Sequence, residues 1–224
     1  MESQMKVLVL GATGGSGRAA VEQLLSAGHE VTAFTRRAEP MGNGRERLHT
    51  FVGDVMSLED VERAVKGQDA VIITLGIREN PLRVRILGAA HTPMDVRSAG
   101  TRNVVSAMQR HGVRKLVVQT SYGVGVTRHR LGTVDALFFK LLLKPQIADT
   151  EKQEQVVRES GLDWVIAQPV HLTDAPEQPM PALSTDGDTE LMKVSRNSVG
   201  RFLAHAAQSA AFIGRSVAVS GAAA

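Results

Sequence analysis

The chain has 224 residues, 43% of them hydrophobic and 22% charged, with a formal net charge of +3 and no cysteine. That length and balance suit one soluble domain with a sizeable core, and the missing cysteines exclude disulfides, thiolate nucleophiles and cysteine-bound metals. The basic excess is scattered and aromatic residues make up only 4% of the chain, so no nucleic-acid partner is expected.

The run KVLVL at 6–10 is continuously apolar, as a strand buried on both faces should be. It is too short for a secretory leader, and nothing approaches the roughly 18 apolar residues of a membrane span. A cytoplasmic protein with no membrane partner is the expectation. Ala19, Ala20, Leu24 and Leu25 recur at helical spacing, which predicts a helix over 16–27 stopped by Gly28. Strands follow at 30–35 and 49–52. Ser57 is placed to cap a helix reaching Lys66, with Glu59 and Asp60 in its first turn. Further along come a strand at 69–75, a helix at 95–111, a strand at 115–119 and helical patterns at 134–144 and 150–160 on either side of Pro145. A strand at 162–168, a helix at 195–209 and a last strand at 216–220 complete the order. Strands alternating with helices predict an α/β fold, a doubly wound parallel sheet with helices on both faces. The stretches 76–92 and 173–189 look irregular, and both follow strands. They belong at the carboxyl edge of the sheet, with 170–194 a small substrate-side region of a single domain.

The segment GATGGSG at 11–17 sits between the first strand and the first helix. That context is what a dinucleotide-binding turn requires. Gly11 turns the chain off the strand, Gly14 lets the backbone approach a pyrophosphate, and Gly17 lets the helix pack on the sheet. Gly15 belongs to the same turn. The helix start offers N–H groups to the phosphates, and Thr13 and Ser16 add hydroxyls. The second strand ends in Phe34-Thr35-Arg36-Arg37, where an NAD site usually carries an acid for the ribose 2′-hydroxyl. Guanidinium groups there suit a 2′-phosphate, so NADP(H) is the expected cofactor; the alternative is two solvated arginines. In Val52-Gly53-Asp54-Val55, Asp54 can accept from an adenine amino group or cap the following turn.

These motifs, with GQDAVIITLG at 67–76, SAGTRNVVSAMQRHGVRKLVVQTS at 98–121 and RESGLDWVIAQPVHLTD at 158–174, resemble the atypical short-chain dehydrogenase/reductases. Within them the likeness is to the biliverdin IXβ/flavin reductases and the NmrA-like proteins. The resemblance implies NADP(H) binding, with Arg36 at the 2′-phosphate and Val55, Leu75 and Gly76 along the cofactor. It implies that Ser121 stands near the nicotinamide and that Gln168, Pro169 and Val170 line the same side. Gln168 departs from the family's usual Arg-Pro. His171 falls where the flavin reductases carry a histidine.

The Tyr-x-x-x-Lys pair of ordinary short-chain dehydrogenases is absent, because Tyr122 is the one tyrosine and position 126 is valine. Ser121, Tyr122 and His171 remain as catalytic candidates, the alternative for each being a structural role in its loop. The histidines show no metal-ligand spacing, so no metal is expected. Arg78, Arg83, Arg85 and Arg97, with Arg128, His129 and Arg130, are expected to rim the pocket and draw an acidic small-molecule acceptor. The apolar run 134–143 suits core or pocket wall, with a dimer helix as the alternative, and a monomer or a homodimer is expected. Two functions fit: an NADPH-dependent reductase of a small planar acceptor such as a flavin or quinone, or a non-catalytic NADP(H)-sensing regulator of the NmrA-like type.

Overall fold

A computed structural model describes residues 4–37, 46–76, 93–130, 144–176 and 180–223. The elements are β1 (Lys6–Leu10), α1 (Gly15–Ser26), β2 (Glu30–Thr35), β3 (Leu48–Val52), α2 (Leu58–Val65), β4 (Ala70–Ile73), α3 (Val96–His111), β5 (Lys115–Gln119), α4 (Lys144–Arg158), β6 (Asp163–Pro169), β7 (His171–Thr173), β8 (Ala182–Ser184), β9 (Lys193–Ser195), α5 (Arg196–Gln208) and β10 (Arg215–Ser220). A 3₁₀ segment, Gly125–Arg130, follows β5.

The main sheet has the order β3-β2-β1-β4-β5-β6-β10-β8, parallel except for the edge strand β8. Strand order reverses between β1 and β4, the switch point at which doubly wound sheets bind ligands. Side-chain alternation divides the core in two. Val7 and Val9 of β1 face α1 and α5, packing with Leu24, Phe202 and Leu203. Leu8 and Leu10 face the other layer, with Val61, Val104 and Met108 of α2 and α3.

The doubly wound reading of the sequence holds, and two local details differ from it. The second of the two helices expected around Pro145 includes that proline: α4 is already helical at Lys144 rather than from 150. The stretch 173–189 is not wholly irregular. Its β8 pairs antiparallel with β10, and β7 just before it pairs with β9 in a separate two-stranded parallel sheet. The helix expected over 134–144 and the arginines at 78, 83 and 85 lie outside the described residues, apart from Lys144 at the start of α4.

Small residues set how closely the elements approach. A side chain at Gly200 of α5 would collide with Ala19 of α1, so these two helices pack backbone to backbone. A side chain at Gly100 of α3 would lie 2.8 Å from Cγ2 of Val55 and 3.1 Å from Cδ1 of Leu75. Gly100 thereby leaves room for both residues at the sheet edge.

Candidate functional site

The chain turns sharply off β1 at Gly11, whose φ is +81°, a value that L side chains rarely adopt. A Cβ there would lie 2.7 Å from the carbonyl oxygen of Thr74, and one on Gly17 would collide with the Gly11 carbonyl. Gly14 N–H donates to the Gly11 oxygen (2.9 Å), and Arg18 N–H makes the first helical bond, to Gly14 (2.8 Å). The amides of Gly15, Ser16 and Gly17 precede that bond and open α1. Gly14 caps the helix without a side-chain hydrogen bond, and the first turn holds no acid. The helix start is therefore shaped for an anion, by its amides and by its dipole.

Thr74, at the end of β4, locks this turn to the sheet. Its hydroxyl lies 3.0 Å from the Leu10 carbonyl and 3.2 Å from that of Gly11. The sequence reading passed over Thr74, since a threonine at a strand end carries no signal without its partner.

Two depressions meet over this turn, sharing Gly14, Thr74, Leu75 and Gly76, and together form one groove across the carboxyl edge of the sheet. The first, of about 200 Å³, is lined by Gly11, Thr13, Phe34, Thr35, Arg36, Val55 and Val96. The second, of about 260 Å³, is lined by Gly15, Ser16, Gly17, Arg97, Gln119, Ser121, Leu172 and Arg196. In doubly wound sheets dinucleotides lie across this edge, at the switch point. The structure thus brings together Gly11, Thr13, Gly14, Gly15, Ser16, Gly17, Arg36, Val55, Leu75, Gly76 and Ser121. Asn103 of α3 donates to the Val55 carbonyl (2.9 Å) and fixes that wall.

Other candidates lie elsewhere. Arg37 is exposed beside the groove, and its carbonyl accepts from the Thr35 hydroxyl (2.8 Å). Asp54 takes the turn-capping role: it is exposed, and its Oδ1 accepts from Met56 N–H (2.9 Å). Gln168 is fully buried. Its Nε2 donates to the Glu154 carboxylate (2.8 Å) and to the Val124 carbonyl (2.9 Å), away from the groove. Pro169 ends β6 inside the sheet, and the buried Val170 bonds through its N–H to Val219 (3.1 Å). β6 ends one residue later than the sequence suggested, and Leu172 lines the groove instead. His171 begins β7 and is exposed. Alternation along that strand sends it to a different face from Leu172. Tyr122 is buried, with its hydroxyl donating to the Gly187 carbonyl (2.9 Å). Burial raises its pKa above the ordinary phenol value. Of the three catalytic candidates only Ser121 lines the groove, its hydroxyl donating to the Tyr122 carbonyl (3.2 Å).

The expected basic rim is largely neutralised where it is described. Arg128 pairs with Glu151 (2.9 Å) and Arg130 with Asp188 (2.9 Å). Two other arginines line the groove itself. Arg97 stands at the start of α3, with Nη2 3.3 Å from where a Cβ on Gly76 would be. Burial pulls its pKa below the ordinary range, against the opposing field of Asp149. Arg196, unnoticed in the sequence, opens α5 because Ser195 caps that helix, its Oγ accepting from Ser198 N–H (3.0 Å). It lies over Gly15 and pairs with Asp174 (2.7 Å).

A sequence profile of the family described as NAD(P)H-binding matches residues 11–210. The chain belongs to the NAD(P)H-binding family. The atypical short-chain dehydrogenase/reductase scaffold expected from the sequence is borne out. An uncharacterized chloroplastic protein of Arabidopsis thaliana is 32% identical over 177 residues, 76% of this chain and 60% of its own length. A 3-beta-hydroxysteroid dehydrogenase of Mycolicibacterium neoaurum is 35% identical over 126 residues, 53% of this chain and 32% of its own length. This NAD(P)H-binding chain thus spans less than two thirds of either relative. The fold is shared with a short-chain dehydrogenase/reductase of Veillonella parvula in complex with NADP, at a TM-score of 0.76, 20% identity and coverage of 97% and 95%. ChuY, an anaerobillin reductase of Escherichia coli, aligns at 0.76, 20% identity and 96% of each chain. Among the described residues no helix is long and apolar enough to cross a membrane.

Proposed function

We propose that this protein is an NADPH-dependent reductase of a small planar acceptor, a flavin or quinone. The observation that carries the reading is the single groove running from Arg36 past the glycine turn to Ser121. Curated relatives that are dehydrogenases support the same reaction class. Arg36 would hold the 2′-phosphate, the amides of Gly15–Gly17 the pyrophosphate, and Val55 and Leu75 the adenosine. The cofactor supplies the hydride; the chain positions donor and acceptor in a partly dry cleft. Ser121 and Gln119 border the space for the acceptor ring. No Tyr-x-x-x-Lys pair delivers a proton, which suits acceptors that are protonated from water.

A second reading is a non-catalytic NADP(H)-sensing regulator. The commitment of the Tyr122 hydroxyl to Gly187 favours it, because the one phenol near the site is already engaged. NADPH oxidation by the purified protein with FMN, then with a simple quinone, separates the two. NADH serves as the control donor. Turnover with NADPH establishes the reductase, and NADPH binding without turnover on any such acceptor establishes the regulator.

A further inference from the structure

We infer that the acceptor carries an anionic group, a carboxylate or a phosphate, held by the guanidinium of Arg97. This rests on the reductase reading and adds the acceptor's chemical class. Four other arginines have carboxylate partners: Arg128 with Glu151, Arg130 with Asp188, Arg158 with Glu154 and Arg196 with Asp174. Arg97 differs. Among the described residues its guanidinium has one hydrogen-bond partner, the neutral hydroxyl of Thr150 at 3.3 Å. The adjacent acid, Asp149, is occupied: its two oxygens accept from the backbone amides of Arg97 (3.1 Å) and Ser98 (3.2 Å). Asp149 therefore anchors the start of α3 and acts on the guanidinium only through its field.

A part-buried charge without a bonded counter-ion is costly, and an anionic ligand relieves that cost. The guanidinium fork matches carboxylate and phosphate oxygens. In the proposed reading the α1 amides and Arg36 take the cofactor's anions; Arg97 lines the same depression as the α1 start, together with Ser121. A planar acceptor with an anionic arm would satisfy the Arg97 guanidinium.

The test compares FMN with riboflavin, which share one ring and differ in the phosphate. Each is titrated by fluorescence into the protein saturated with NADP+. Binding of FMN is expected about tenfold tighter than riboflavin, the size of one charge-assisted contact. That advantage should shrink between about 50 and about 500 mM NaCl. In Arg97→Met it should fall toward unity, while NADP+ affinity moves less than about threefold. Arg196→Met, whose arginine already has Asp174, should keep most of it. Equal binding of the two flavins, or binding of neither, overturns the inference. So does an Arg97→Met variant that loses NADP+ in step with FMN, which would assign Arg97 to the cofactor. Should Arg97→Met not fold, the wild-type salt dependence and Arg97→Lys decide. An FMN preference without turnover sustains this inference and defeats the reductase reading; turnover without an FMN preference does the reverse.

Discussion

Gly15 and Arg196 interlock: a methyl group on Gly15 would occupy the space of Cδ of Arg196. The contact repeats one helical turn on, where Gly200 of α5 lies against Ala19 of α1. Two pairs of residues at i and i+4 thus dock the start of α5 on the start of α1 and bring a guanidinium over the glycine turn. Gly15→Ala should push Arg196 aside and set a methyl where a pyrophosphate approaches. We expect NADPH affinity to fall about tenfold, with stability changed by less than about 1 kcal/mol because the Arg196–Asp174 pair is exposed. Titrations and melts in both backgrounds check the coupling. An equal loss of affinity when Arg196 is already alanine would show that the arginine plays no part.

Arg36 lines the adenosine end of the groove, whereas Arg37 beside it does not. Replacing Arg36 with alanine should weaken NADPH binding about thirtyfold and NADH binding less than about threefold, as expected for loss of a charge-assisted phosphate contact. Arg37→Ala should leave the NADPH-to-NADH ratio near its wild-type value. Equal losses for both cofactors in Arg36→Ala would remove the 2′-phosphate assignment.

The residues that gather at the glycine turn were legible in the sequence because their geometry is local. Gly11, Gly14 and Gly17 act on the backbone within one turn, and Arg36 follows a strand of evident pattern. The acceptor half was less legible because it depends on direction and distant pairing. Gln168 and His171 look like site residues in QPVHL. Whether they reach the groove depends on how far β6 runs and on the alternation of β7. Arg196 and Thr74 matter only through partners 22 or more residues away, Asp174 and the Leu10–Gly11 turn. Arg97 was expected at the rim, but its unusual lack of a bonded carboxylate required Asp149 to be seen holding two amides.

Beneath Ser121 lies a buried carboxylate that stiffens the strand ends. Glu154 is 1% exposed. Its Oε1 accepts from the Thr120 hydroxyl (2.7 Å) and from Gln168 Nε2 (2.8 Å), and its Oε2 from Arg158 (2.9 Å). Arg158 also reaches Ser216 of β10 (2.9 Å), so the cluster ties β5, β6, β10 and α4 together. Removing one member of such a pair leaves the other charge uncompensated. Glu154→Leu should cost about 3–5 kcal/mol in urea unfolding, and adding Arg158→Leu should recover part of it. A loss below about 1 kcal/mol would mean that solvent reaches the cluster.

Tyr122 joins the loop after β5 to the segment carrying Gly187, and its titration gives that link a pH dependence. Burial raises its pKa in the folded protein. Between about 10, the value for an unfolded phenol, and the higher folded value, the native state retains a proton that the unfolded chain has released. The contribution is therefore complete below about pH 10 and declines as pH rises through that window. Tyr122→Phe removes it and leaves the Gly187 oxygen without this donor, at a cost of about 1–2 kcal/mol near pH 7. Urea titrations at neutral and alkaline pH should show the gap between wild type and variant narrowing above about pH 10. A constant gap would mean that the phenol is accessible to water in the folded state. The same variant tests chemistry: with the hydroxyl held by Gly187, NADPH oxidation with FMN should stay within about threefold of wild type, far from the hundredfold or greater loss of a proton donor. Abolished turnover in a folded Phe variant would instead make Tyr122 the proton donor, released from Gly187 during the reaction.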